Sequence, residues 1–344
     1  MTDAQHASRR AVPAAPGSSY VLGPGLRYMV GAAFFFSLMS LFVKLTGAHL
    51  PTMEIVFFRS LITLALSGAM LWRYRIGPWG SARKLLFLRG VLGFAALSCF
   101  YYGVVHLPLA EATVVHYTNP VFTAVLAALL LSERIGPKEV GLTLLSLSGV
   151  VIMTRPAFLF GGGESALPPL AIGVALAGAV FSGAAYTTVR KLSETDHPVV
   201  IVTWFSAVSV LGSLPFMIVP HFLASGSAPS VGDGWNATLF PMPSLPSGGV
   251  WLLLLGVGVT TQLGQLFLTY GLKAERAGRA MSVAYLQIVF AALWGVLLFS
   301  DLPDVATVMG AAVIIGATAA LGRVRPLEGM EPRPGRSGAF PPKS

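Results

Sequence analysis

GVLGFAALSCFYYGVVHLPLAEATVVHYTNPVFTAVLAALLLSE, residues 90–133, returns 168 residues later as GVTTQLGQLFLTYGLKAERAGRAMSVAYLQIVFAALWGVLLFSD, residues 258–301, without a gap. Gly90, Val91, Tyr102, Gly103, Ala112, Val115, Tyr117, Val121, Phe122, Ala124, Leu129, Leu130 and Ser132 all recur at that offset, 13 identities in 44 positions. Shared apolar composition alone would give fewer, so the chain contains an internal repeat. Both copies are hydrophobic enough to cross a bilayer. Corresponding spans stand five apart along the chain, an odd number, so the second copy is expected to cross in the opposite sense. Inverted repeats build secondary transporters, because two pseudo-symmetric halves can exchange roles around one central site.

The rest of the chain fits that frame. It is 54% hydrophobic and 11% charged, with a mean hydropathy of +0.73, whereas soluble domains carry roughly 25% charged residues. A span needs about 20 mostly apolar residues. Ten such runs can be read, at 27–47, 54–72, 85–105, 112–131, 139–154, 169–189, 199–219, 249–271, 280–300 and 304–322. The expected fold is therefore an all-α membrane protein of ten transmembrane helices, arranged as two inverted five-helix repeats. Residues 27–156 form the first repeat and 169–322 the second. Residues 1–26 and 323–344 read as disordered cytoplasmic tails, poor in apolar neighbours and rich in Pro and Gly. The segment 157–168, with Gly161-Gly162-Gly163, reads as a flexible outer linker. The long loop 221–248 has no Lys or Arg, and its Asn236-Ala237-Thr238 is read as a chance glycosylation pattern.

The formal charge of +9 is a statement about topology rather than about nucleic acid. With the N-terminus in the cytoplasm, the inner segments hold nearly all the basic residues, Arg73, Arg75, Arg83, Lys84, Arg134, Lys138, Lys273 and Arg276 among them. The outer loops hold only Arg155. That asymmetry places both termini in the cytoplasm and implies contact with membrane lipid, not with nucleic acid. The single cysteine, Cys99, excludes an internal disulfide and a cysteine-based metal cluster.

Polar groups at membrane depth are costly, so each is a candidate for solute contact. Arg59 lies about a turn and a half inside the second span; it pairs with Glu54 or caps exposed carbonyls, or it clamps a carboxylate or phosphate with its planar fork. His116-Tyr117-Thr118-Asn119-Pro120 interrupts the fourth span, and Pro120 removes a backbone donor, so a bend is expected there. The second copy offers Tyr285-Leu286-Gln287, with Tyr285 matching Tyr117 and Gln287 matching Asn119. Matched polar groups in two inverted copies suit a shared midplane pocket; interhelical hydrogen bonding is the plainer alternative. Gln262 and Gln265 join this candidate set. Lys44, Tyr102, Tyr270 and Trp294 form a second tier, with snorkelling or packing as their plainer roles. Arg89, near the inner end of span three, reads as a snorkelling topology signal.

No Asp or Glu sits at mid-depth, so a cation-coupled pump or a carrier of cations is disfavoured, and a neutral, zwitterionic or anionic solute is favoured. His116 could supply a proton relay. No phosphate-cradling loop, His-Glu-x-x-His pattern or intramembrane protease motif is present, so no enzymatic activity, cofactor or metal is expected. Small residues recur every fourth position at Ala175, Ala179, Gly183 and at Ala312, Gly316, Ala320. Such stripes allow close helix approach, or, on the last span, a homodimer.

Phe57-Phe58-Arg59-Ser60, Tyr101-Tyr102-Gly103, Leu109-Ala110-Glu111-Ala112, Asn119-Pro120-Val121-Phe122 and Leu130-Leu131-Ser132-Glu133-Arg134, followed by Gly141 and Gly149-Val150, resemble the EamA family of the drug/metabolite transporter superfamily. The resemblance covers roughly residues 27–322. It implies ten spans, two inverted repeats, inner termini and transport of a small organic metabolite such as an amino acid, nucleoside or vitamin. Residues 37–44 with 54–59 are similar to a branch containing S-adenosylmethionine uptake carriers. The second copy departs from the pattern, with Asp301 where many members have Glu and Gln287-Ile288 in place of Asn119-Pro120.

The leading expectation is thus a cytoplasmic-membrane carrier working by alternating access. A lipid-linked sugar flippase and a non-transporting membrane scaffold are the alternatives.

Overall fold

Apolar runs of this length can satisfy their backbone in lipid only as helices, and in the computed structural model helices, joined by turns and short connections, are the regular structure of the described residues. Those are 23–107, 109–160, 168–224, 246, 248–299 and 302–324. The expectations for 1–22, for Gly161-Gly162-Gly163, for Asn236-Ala237-Thr238, for Ser300-Asp301 and for 325–344 lie outside them.

Helix α1 spans Pro24–Thr46, three residues ahead of the run read from hydropathy, with Pro24 at its first turn, where a missing N–H costs nothing. Helices α2, Thr52–Tyr74, and α3, Arg83–His106, follow. The fourth run is split into α4, Leu109–His116, and α5, Asn119–Leu131. Then come α6, Pro137–Thr154, a short turn α7, Ala157–Phe160, and α8, Pro169–Leu192. Helix α9 is Pro198–Ala224 and α10 is Gly248–Ala274. The ninth run is split too: α11, Ala277–Ser282, a 3-10 turn Val283–Tyr285, and α12, Leu286–Phe299. Helix α13, Val305–Arg323, closes the described chain.

Nine helical stretches among the described residues are long and apolar enough to cross a membrane, counting each split run once. The remaining run, the fifth, forms α6, which has 18 residues. The side chains left exposed are mainly large and apolar, such as Leu129, Leu130, Leu252 and Leu302, as a lipid-facing surface requires. Trp72, Tyr74 and Trp79 cluster at one end, where amphipathic rings suit the headgroup level.

The helices pack in exchange-related pairs. Helix α1 lies along α10, and α3 lies along α8; α1 meets α12 as α5 meets α8; α2 meets α10 as α3 meets α9. Two further pairs, α2 with α9 and α6 with α13, join like positions of the two halves. Close approach demands glycine where backbones meet. A Cβ on Gly310 would lie 2.5 Å from the Gly149 carbonyl oxygen, and one on Gly183 would lie 2.9 Å from the Thr123 amide nitrogen. The stripe Ala175, Ala179, Gly183 is buried in this packing. The stripe on the last span is not: Ala312 and Gly316 are exposed, and a Cβ on Gly316 would meet nothing within 4 Å.

The two faces of the bundle differ in charge. On one, Glu133 accepts hydrogen bonds from Arg190 Nε at 2.8 Å and from the Ala277 amide at 2.9 Å, while Arg190 Nη1 donates to the Leu272 and Lys273 carbonyls at 3.1 Å. Arg276 donates to the Arg134 carbonyl, and Asp196 accepts from the Ser81 amide at the start of α3. On the opposite face the described basic residues are Lys44, over the Phe299 ring at 4.0 Å, and Arg155, paired with Asp304 at 2.8 Å.

Candidate functional site

Pro120 cannot donate a backbone hydrogen bond, and the helix yields just before it: Tyr117 and Thr118 form a turn between α4 and α5. Pro120 then occupies the first turn of α5, where its fixed φ suits a helix start. In the second copy the helix yields at the equivalent place without a proline, through the 3-10 turn Val283–Tyr285. Tyr117 and Tyr285 sit at these two breaks, and their ring centroids stand 6.0 Å apart. Tyr285 is fully buried, and its hydroxyl has no hydrogen-bond partner among the described residues.

Polar groups gather on either side of this pair. Asn119 is buried; its Nδ2 donates to the His116 carbonyl at 2.8 Å, and its Oδ1 has no donor. The His116 ring lies 4.3 Å from Phe100 and 5.9 Å from Tyr117. Tyr101, adjacent to Phe100, is within electrostatic reach of Arg59. Arg59 itself is 6% exposed. It makes no ion pair with Glu54, although both residues sit in the first turns of α2, so the pairing alternative fails.

On the other side lies a residue that sequence reading misassigned. Arg89 does not snorkel to the surface: it is 2% exposed. Its Nη2 donates to Gln265 Oε1 at 3.1 Å, its guanidinium lies 4.0 Å over the Phe205 ring, and Tyr186 of α8 is its electrostatic neighbour. The face of α3 that carries Arg89 is turned towards α8, α9 and α10, so the long side chain points into the bundle instead of along lipid. Tyr186 in turn interacts with Tyr117. Arg89 is thus hydrogen-bonded to Gln265 and within electrostatic range of Tyr186, which is within range of Tyr117, whose ring faces that of Tyr285.

Magnitudes make these two arginines informative. A charge near the centre of a membrane helix costs about 2.5–3.5 kcal/mol on insertion scales. For Arg89, a desolvated cation–π contact returns about 2 kcal/mol and one charged hydrogen bond about 1.5–3 kcal/mol. Its Nε and Nη1 still lack acceptors among the described residues. Arg59 has neither a hydrogen bond nor a carboxylate there. By contrast, Arg190 pairs with Glu133 at 2.8 Å and Arg279 with Glu275 at 3.9 Å.

The remaining candidates fall into two groups. Gln262, buried, holds the Met70 sulfur at 3.6 Å and leaves its Oε1 without a donor. Gln287 reaches Ser40 Oγ at 3.5 Å and Trp294 Nε1 donates to Ser37 Oγ at 3.0 Å, so both tie α12 to α1. Lys44 is exposed over Phe299, Tyr102 stacks on His106 at 4.2 Å inside a satellite apolar cluster, and Tyr270 stacks on Tyr28 at 5.6 Å. These three are not brought to the tyrosine pair. Sequence reading missed Arg89, Tyr101 and Tyr186. Only Arg89 left a usable signal: an arginine inside the apolar run 85–97 that has no counterpart in the repeat, where Val257 stands. No group of three or more metal-ligating side chains occurs among the described residues.

A solved crystal structure superposes with a TM-score of 0.70 at 20% identity, over 87% of this chain and 96% of its own, a likeness of fold. The pseudopaline exporter CntI of Pseudomonas aeruginosa is 34% identical over 305 residues, 89% of this chain and 98% of that protein. Human solute carrier family 35 member G1 is 31% identical over 318 residues, 90% of this chain and 81% of its own length. The model of the EamA-like transporter family matches residues 23–155 and again 169–323. Two matches of one family model, covering both halves of a multi-pass helical bundle, settle its kinship: this chain belongs to the EamA-like transporter family.

Proposed function

We propose that the protein is a secondary transporter that moves a small organic metabolite across the cytoplasmic membrane by alternating access. The observation that carries this reading is the meeting of Tyr117 and Tyr285, repeat-related residues at two matching helix breaks, 6.0 Å apart. Broken helices at mid-depth are tolerated where they line a cavity. Arg59, His116, Tyr117, Asn119, Gln262, Gln265, Tyr285 and Gln287 line the solute path, with Trp294 behind Gln287. The exchange-related helix pairs support an inverted arrangement of the two halves. The crowding of basic residues on one face supports that face, and both termini, being cytoplasmic. The relative named as a pseudopaline exporter supports an organic metabolite as cargo.

Counterflow in proteoliposomes tests the reading. A labelled metabolite that exchanges through the wild-type protein should exchange much more slowly through Tyr117→Ala and His116→Ala. Unchanged exchange in both variants would displace the solute path from this site, and absence of exchange for every metabolite class would favour a scaffold.

A further inference from the structure

Arg59 and Arg89 differ from Arg190 and Arg279, which are also buried or half-buried. Arg190 has Glu133 and Arg279 has Glu275, whereas Arg59 and Arg89 have none among the described residues. Both lie well below the surface. Helix α2 enters from the face opposite that from which α3 enters. Seven residues separate Thr52 from Arg59 and six separate Arg83 from Arg89, which at ~1.5 Å per residue puts them about 10 Å and about 9 Å deep from opposite faces. Tyr117 and Tyr285, each eight residues from its helix start, lie about 12 Å deep by the same rise. One arginine thus flanks the tyrosine pair on each side. Arg59 reaches it through Tyr101, Phe100 and His116, and Arg89 through Tyr186.

Resting on the transporter reading above, we infer that the carried solute bears an oxyanion, a carboxylate or a phosphate, and that Arg59 and Arg89 anchor it in turn, each serving the aperture on its own side. A guanidinium presents a planar set of donors that matches the two oxygens of a carboxylate or phosphate. Arg89 has spent one nitrogen on Gln265 and keeps Nε and Nη1 without acceptors. The solute supplies the missing counter-charge, and the site is incomplete without it.

The test is thermal unfolding of the purified full-length protein at matched ionic strength, with succinate, inorganic phosphate or succinamide, the uncharged isostere of succinate. Ligand binding to the folded state raises the midpoint by mass action. Succinate, phosphate or both should raise it saturably and succinamide should not; succinate alone identifies an organic acid, phosphate alone a phosphate or phosphoester. Arg59→Gln and Arg89→Gln should each weaken the anion by about tenfold or more, the loss of one charged hydrogen-bonding partner. Arg59→Gln should also raise the midpoint of the ligand-free protein, since it removes a buried charge with no carboxylate among the described residues; Arg89→Gln should not, since it also loses the Phe205 contact and the bond to Gln265. Should Arg89→Gln fail to fold, Arg89→Lys keeps the charge and should bind with intermediate affinity. An equal rise with succinamide, no rise with any anion, or a rise indifferent to both variants would overturn the inference. Binding without succinate or phosphate counterflow in proteoliposomes would instead overturn the transporter reading and leave the anion site standing. Counterflow of uncharged solutes, unaltered in both variants, would sink the anion site and spare the transporter.

Discussion

Tyr117 and Tyr285, 168 residues apart in sequence, bring their rings to 6.0 Å at an interplanar angle of 31°. Each sits where its helix loses regularity, so two independent interruptions in the backbone converge on one spot. Tyr117 is half-buried, whereas Tyr285 is closed off completely. The pair is therefore asymmetric in access although it is symmetric in sequence.

Tyr285→Phe should leave the fold intact and raise its stability by about 1 kcal/mol. The buried hydroxyl it removes has no partner among the described residues, and an unmet buried polar group costs roughly 1–3 kcal/mol. Tyr285→Ala should lower stability by about 3–5 kcal/mol through the cavity it leaves. Thermal unfolding measures both, and counterflow should show Tyr285→Phe slowed if the hydroxyl touches the solute.

Glu133→Gln should loosen the basic face. The carboxylate holds Arg190 and the first amide of α11 together, with side chains 22% and 12% exposed for Arg190 and Glu133. After discounting for solvent screening the loss is about 1–3 kcal/mol. In a Cys99→Ser background, thiol labelling of Ser282→Cys, a buried position four residues past Gly278 whose carbonyl it bonds, should become faster with Glu133→Gln.

Gly310→Leu should cripple folding and Gly316→Leu should not. A Cβ at 310 would stand 2.4 Å from the Met153 side chain and 2.5 Å from the Gly149 carbonyl oxygen, whereas at 316 the space is open. Yield of monodisperse protein in detergent and its unfolding midpoint distinguish the two. A shift in oligomeric mass with Gly316→Leu would point to the last span as a subunit contact.

Asp304 should make α13 acid-sensitive. Its carboxylate accepts from the Thr307 amide at 2.8 Å and faces Arg155. The bond to Thr307, ahead of the pull of Arg155, holds its pKa below the usual carboxylate value. A depressed folded-state pKa gives stability that is present above the unfolded value and disappears as pH falls through the folded one. Asp304→Asn should therefore destabilise the protein at neutral pH and flatten its loss of stability on acidification. Unfolding midpoints across an acid pH series check this.

How much of this was legible beforehand follows from what the sequence can encode locally. The helical spans, their number and the repeat are written in apolar run length and in thirteen matched residues, since lipid enforces helix wherever a run is long enough. The break near Pro120 is a local consequence of a missing N–H. The break at Val283–Tyr285 has no such local cause, and only its alignment with residues 115–117 hints at it. Arg89 was misread because composition cannot tell a lipid-facing arginine from a bundle-facing one; rotation of α3 about its axis decides that, and the decision belongs to α8, α9 and α10. Tyr102 and Tyr270 matched across the repeat as well as Tyr117 and Tyr285 did, yet they pack on His106 and Tyr28. Sequence matching preserves position along a helix but does not say which neighbour that position meets.

That no carboxylate among the described residues pairs with Arg59 or Arg89 has an electrical consequence. On the alternating-access reading, the empty protein holds two positive charges within the dielectric and redistributes the voltage drop around them each time the open mouth changes sides. A full unit charge traversing the potential is worth about 2.3 kcal/mol per 100 mV, so the unloaded return stroke is voltage-sensitive. A doubly negative passenger silences that current.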